Sequence, residues 1–331
     1  MRPAEPGADD TVRVLPAHRA RATWLILAAA VVAGALGGSG AFWLLRPAPP
    51  VTVAPVPAPA PIVAAPQALV APAFRITTAS ETEIAQHVAT SLTVFRFADN
   101  PRVLVLDFAS LRDQGRMLNR VAAFTEKAGL PHDRVLTDAE LDAAIRARGD
   151  TVETFYLGHD YAATSLARFF AAADTQRIEL DPQEEVLRAL MRQEGWFAPG
   201  VMAGLISVPA VGSDGRVTAS ARAAILRHEL SHGEFFANPA YAEYVHSFWL
   251  RELTSEERGA IRAFLAKDEY DVREEELMYN EMQAYLMFTR DPLFFRPDMA
   301  GLVPARLAEL QGRFLSGMPD GWLRNTLASG R

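Results

Sequence analysis

His228 and His232 stand four residues apart in the run Arg227-His-Glu-Leu-Ser-His-Gly233, with Glu229 directly after the first histidine. On a helix that spacing puts both imidazoles on one face, one turn apart, where they can reach a single metal ion. Zinc takes imidazole nitrogens at about 2.0–2.1 Å. Glu229 is displaced by about 100° around the axis, so it stands beside such an ion and can take the proton that a metal-polarised water must lose. The chain has no cysteine. Thiolate ligands, thiolate catalysis and disulfides are therefore excluded, and any metal must be held by His, Asp and Glu.

The helix that carries this triplet is delimited by its own sequence. Thr218 or Ser220 can cap its start, and Gly233 is expected to end it just past the second histidine. Leu226 and Leu230 lie nearly opposite the histidines and are expected in the core, while Ala221, Ala224 and Ile225 flank His228 with small or apolar surface. A helix apolar on two sides is buried, and buried histidines need partners or a metal.

The segment RHELSHGEFF, with the short strand Leu205–Val208 before it, resembles the active-site helix of the zincin metallopeptidases, of the gluzincin-like branch. The resemblance covers roughly residues 205–290. It implies zinc held by His228 and His232, Glu229 as general base, and Leu205–Val208 as the edge strand along which a substrate peptide lies by strand addition. Pro209 at the end of that strand suits an edge. Glu234 departs from the family pattern, which prefers an apolar residue there. The metzincin branch would require glycine at 235 and histidine at 238. This chain has Phe235 and Asn238, which removes that branch.

A glutamate from a later helix is then the expected third ligand, and two compete. Glu281 shares a helical face with Leu277, Met278, Ala284, Tyr285 and Phe288, and a carboxylate in an apolar stripe must be paired, protonated or metal-bound. Asp271 with Glu274 reads as the cap of that helix, and Asp291-Pro292 follows its end. The NExxA context of Glu281 also resembles the third-ligand helix of gluzincins. Glu252 lies 20 residues past His232, a spacing found in thermolysin-like enzymes. Thr254 with Glu257 forms a capping box, however, which leaves Glu252 at a helix end and solvated. Glu281 is favoured. His246 and Tyr285 have a weaker claim to orient a ligand or stabilise an oxyanion, each reading first as a packed ring, and His159 is given no role.

The rest of the chain must position these groups. Its 331 residues carry a net charge of −7 with no long basic run, which speaks against nucleic acid as a partner. Trp24 to Leu45 is an uncharged run of 22 residues, about 33 Å as a helix, and reads as a single membrane span rather than a cleaved signal. Arg13, Arg19 and Arg21 precede it, so residues 1–23 are expected in the cytoplasm and the remainder outside. Gly34 and Gly38 form a GxxxG that reads first as the small residues common in such spans. Residues 46–74 are an Ala/Pro-rich spacer, with nine prolines between Pro47 and Ala73.

Residues 75–331 have ordinary globular composition. Strands are expected at Val103–Phe108 and Leu205–Val208, and helices near 112–128, 138–147, 160–173, 184–193 and 255–267. The expected class is α+β, helix-dominated, with a small sheet. Together these readings describe a cell-membrane protein with one N-terminal membrane helix and an extracytoplasmic zinc metallopeptidase domain whose partners are peptide or protein substrates. The rival from another class is a catalytically inactive scaffold of the same fold.

Overall fold

A computed structural model of the chain describes residues 74–329. The expected membrane span and almost all of the spacer lie outside these residues. Among the described residues no helix is long and apolar enough to cross a membrane.

The architecture is helix-dominated α+β around one five-stranded mixed sheet. Its strands are β1 (Ile76–Ala79), β2 (Thr93–Phe97), β3 (Val103–Phe108), β4 (His159–Ala162) and β5 (Gly204–Pro209), in spatial order β1-β2-β3-β5-β4. β3 and β5 run parallel, with Leu104 opposite Leu205, and every residue of both is buried. Strands covered on both faces read as continuous apolar runs, which is why these two were legible in the sequence. Alternation then sorts their side chains. Leu104, Leu106 and Phe108 face the core under α2 (Leu111–Thr125), α4 (Ala163–Gln176) and α5 (Pro182–Gln193). Val103, Val105, Ile206 and Val208 face Leu226 and Leu230 of α6 (Ala219–Ala237) and Ile84 of α1 (Glu81–Gln86). A third core joins α7 (Pro239–Arg251), α8 (Ser255–Leu265), α9 (Glu275–Gln283), α10 (Pro304–Gly317) and α11 (Trp322–Ala328). The remaining helix, α3 (Asp138–Arg148), has the capping box of Thr137 and Glu140.

Three expectations need correction. The strand at 204–209 is not an edge: β4 pairs antiparallel on its outer side, with Tyr161 opposite Leu205. β4 occupies the start of the segment expected as a helix from residue 160, so α4 begins only at Ala163. Its alternating in-and-out burial over four residues is too short to stand out from the helical pattern that follows.

The third correction concerns Gly233, which does not end α6. The helix continues to Ala237 and is closed by Asn238, whose side chain also caps α7. A Cβ on Gly233 would lie 2.7 Å from Val103 Cγ1, and one on Gly204 would lie 3.1 Å from Gly233 Cα. The two glycines let the helix lie directly on the sheet, so close approach, not termination, explains Gly233. Thr218 caps α6 as expected, its Oγ1 accepting from Ala221 N–H at 3.1 Å. The helix is fixed in rotation by a fully buried ion pair in which Arg222 donates to both oxygens of Asp107 on β3, at 3.0 and 2.9 Å.

Candidate metal centre

α6 and α9 bring His228, His232 and Glu281 together. The two Nε2 atoms are 3.1 Å apart. His228 Nε2 lies 3.7 Å from Glu281 Oε2, and His232 Nε2 lies 3.7 Å from Glu281 Oε1. Ligands at about 2.0–2.1 Å on a tetrahedral ion stand about 3.3 Å from each other, so the three groups fit one small cation.

The hydrogen bonds on the far side of each ring fix its tautomer. His232 Nδ1 is 3.0 Å from Asn280 Oδ1, an acceptor, so Nδ1 carries the proton. The amide of Asn280 is oriented in turn: its Oδ1 accepts from Gln283 Nε2 at 3.4 Å, and Gln283 Oε1 accepts from Tyr241 OH at 2.7 Å. His228 Nδ1 is 2.8 Å from Thr289 Oγ1, whose own proton goes to Ala284 O at 3.0 Å, so Nδ1 is again the donor. Both Nε2 lone pairs therefore point into the same space. Facing lone pairs at that distance repel unless a cation lies between them.

Glu281 adds a second feature of a site that could hold a cation. Its side chain is fully buried and neither carboxyl oxygen has a hydrogen-bond partner. Burial pushes its pKa well up, and repulsion from Asp160, Glu126 and Glu229 adds to the effect. An orphaned buried carboxyl is costly in any fold, and a cation is one partner that could satisfy it. Glu252, the rival, is placed elsewhere. It follows α7, is one-third exposed, and accepts from Arg313 at 2.9 Å.

Glu229 faces a cavity of about 320 Å³ beside the histidines, lined also by Ile225, Tyr156 and Tyr285. Its Oε2 has no hydrogen-bond partner. Burial raises its pKa well above the carboxylate range, with Asp160 and Glu126 contributing. A Cβ on Gly158 would fall 2.1 Å from Glu229 Oε1, so only glycine at 158 leaves this carboxyl its place. His228 is held well below the usual imidazole range by burial and by its neighbour His232.

Several contributors were not legible in the sequence. Asp160 on β4 lies 3.8 Å from His232 Nδ1 and forms a second potential metal group with Glu229 and His232. With Glu126 it lines a second cavity of about 410 Å³ on the other side of the centre. Thr289 reaches His228 because residues 284–288 form a π-helical turn, in which Thr289 N–H bonds back five residues to Ala284 O at 2.9 Å. Regular helical spacing cannot anticipate that register shift, and such turns cluster at functional sites.

Of the weaker candidates, Tyr285 packs edge-on against His228 with ring centres 4.7 Å apart. His246 is not at the centre: it stacks on Tyr279 in a separate cleft. His159 is buried against Tyr161 OH at 2.8 Å, and burial with the charge of Lys127 drives its pKa down to about 3. It is a neutral structural histidine. Its neighbour Asp160 is the residue of that segment that reaches the centre. Comparison of the chain with known protein families, curated proteins and solved structures finds no match.

Proposed function

We propose that the described domain is a zincin-like, zinc-dependent peptidase, with His228, His232 and Glu281 holding the metal and Glu229 acting as general base. The observation that carries this reading is the convergence of two imidazole lone pairs and one partnerless buried carboxylate. Zinc in such a site supplies Lewis-acid polarisation of a scissile carbonyl and of the attacking water. Glu229 stands beside the ligands with an uncommitted oxygen, so it can accept the water proton and pass it to the leaving amine. Its raised pKa suits the second half of that task, and an adjacent dication would draw it back towards neutrality. Tyr285, kept protonated by burial, lines the same cavity and can donate to a developing oxyanion.

The same proposal puts this domain outside the cytoplasm on a membrane tether, a reading supported by the uncharged run at 24–45 and the charge asymmetry around it. Its substrates are then peptides or proteins of that compartment. The test is hydrolysis of a broad peptide library by zinc-loaded protein. Glu229→Gln should retain zinc and lose turnover by about 10²–10⁴-fold, the usual contribution of a positioned acid–base group. Equal turnover in the two proteins would remove Glu229 as the base, and no turnover by zinc-loaded wild type would sink the hydrolase reading and leave a zinc-binding scaffold.

A further inference from the structure

The two cavities flanking the centre are separated by a strap. Glu126–Ala128, just after α2, pairs antiparallel with Glu269–Asp271, just before α9. Ala128 N–H donates to Glu269 O at 2.8 Å, Asp271 N–H donates to Glu126 O at 2.9 Å, and Lys127 stands opposite Tyr270. Lys127 and Tyr270 line the cavity that holds Glu229, whereas Glu126 lines the cavity on the Asp160 side. No described residue lines both. The edge of the sheet passes between them, since Gly158 opens on the first and Asp160 to Ala162 on the second.

Glu126, Lys127 and Asp271 of the strap are buried, and its part-exposed anchor is Glu269. Glu269 adopts a left-handed backbone with φ +65°, which side chains other than glycine take at a cost. Its carboxylate, 42% exposed, accepts from Lys127 Nζ at 3.3 Å and Arg148 Nε at 3.1 Å. Arg148 Nη2 also donates to Ala128 O at 2.7 Å, and the Lys127 ammonium lies over the rings of Phe155 and Tyr156 at 4.6 and 4.3 Å. Both ion pairs run through this one carboxylate, which solvent reaches and which sits on a strained residue, so Glu269 is the point at which the strap can release.

We propose that this strap is a gate across the substrate cleft: when residues 127–128 part from 269–270, the two cavities join, and an extended polypeptide can lie along β4 past Glu229. The motion stands on the geometry alone, while its effect on turnover rests on the hydrolase reading.

The chain has no cysteine, so Lys127→Cys with Tyr270→Cys provides a single pair. Facing positions of a non-hydrogen-bonded antiparallel pair lie about 4.5 Å apart at Cα, within disulfide reach. Amide exchange is measured first, on the full chain in detergent. In wild type, Ala128 and Asp271 should exchange about tenfold or more faster than Val105 and Ile206 of the central strands. The oxidised pair should abolish that difference, reductant should restore it, and Glu269→Gln should enlarge it. Strap amides as slow as those of β3, or unmoved by Glu269→Gln, overturn the gate.

Casein hydrolysis by the zinc-loaded pair is read second. Oxidation should remove it and reductant return it, whereas equal hydrolysis in both states means that substrate passes a closed strap and overturns the gate. If wild type itself leaves casein intact, the hydrolase reading fails and the exchange result still decides the strap.

Discussion

Glu281→Gln should reverse sign between metal-free and zinc-loaded protein. The wild-type carboxyl is fully buried, with both oxygens unpartnered and its pKa pushed up, first by burial and then by neighbouring acids. A buried acid whose folded pKa exceeds its unfolded one is harmless below the unfolded value of about 4.3 and costs stability as pH rises above it. Without metal at pH 8 the neutral amide is therefore expected to stabilise the fold. The cost of an unpartnered buried group is about 1–3 kcal/mol, and the amide keeps part of it, so the gain lies at the low end. At about 2–4 °C per kcal/mol for a domain of this size, a gain near 1 kcal/mol is a rise of about 2–4 °C in EDTA, shrinking towards pH 4.5.

With zinc at a hundredfold excess over Kd, wild type gains about 2.7 kcal/mol, or about 5–10 °C, because only the folded state binds. The variant should gain little. Thermal melts followed by circular dichroism, in EDTA and in zinc, read both signs in one series. An equal zinc shift in both proteins would remove Glu281 from the ligand set. A metal-free variant less stable than metal-free wild type would mean that this carboxyl has a partner within the fold.

Gly158→Ala places a methyl group 2.1 Å from Glu229 Oε1 and 3.2 Å from Ile225 Cγ2. It should lower peptide turnover by about a hundredfold, the scale of an ångström's misplacement, with zinc content by mass spectrometry unchanged. Asn280→Ala removes the acceptor that orients His232, so chelator competition should show zinc affinity about 10–100-fold weaker. His159 makes a separate contribution to pH dependence. Its folded pKa of about 3 lies below the unfolded value of about 6.5, so the unfolded chain binds the extra proton and stability falls as pH drops below 6.5. The loss attributable to His159 is about 2 kcal/mol at pH 5, and denaturant titrations of His159→Phe against wild type at pH 7 and pH 5 should show that difference absent in the variant.

What the sequence disclosed follows from how local each signal was. The two histidines and Glu229 sit within five residues on one helix, where period and spacing alone fix geometry. Glu281 was legible because a carboxylate inside an apolar stripe conflicts with burial, a conflict that needs no partner to be named. β3 and β5 carried runs dominated by apolar residues, and Thr218 and the Thr254–Glu257 box marked two helix starts that the fold keeps.

Failures arose where long-range packing overrides local meaning. Gly233 resembles a terminator until it is seen against Val103 and Gly204. Asp160 belongs to a four-residue edge strand hidden ahead of a strong helix, Gly158 immediately precedes it, and nothing in LGHDY relates them to the α6 residues they meet. Asp271 was read as a helix cap, yet α9 starts at Glu275 without a side-chain cap, and Asp271 instead turns the chain through bonds to Arg273.

The central claim is a single zinc ion on His228, His232 and Glu281. A crystal grown with zinc, with diffraction recorded on both sides of the zinc absorption edge, tests it directly. The account predicts one strong anomalous peak within about 2.0–2.2 Å of His228 Nε2, His232 Nε2 and a Glu281 carboxyl oxygen. A peak at other residues, or none between the two imidazoles, would contradict it.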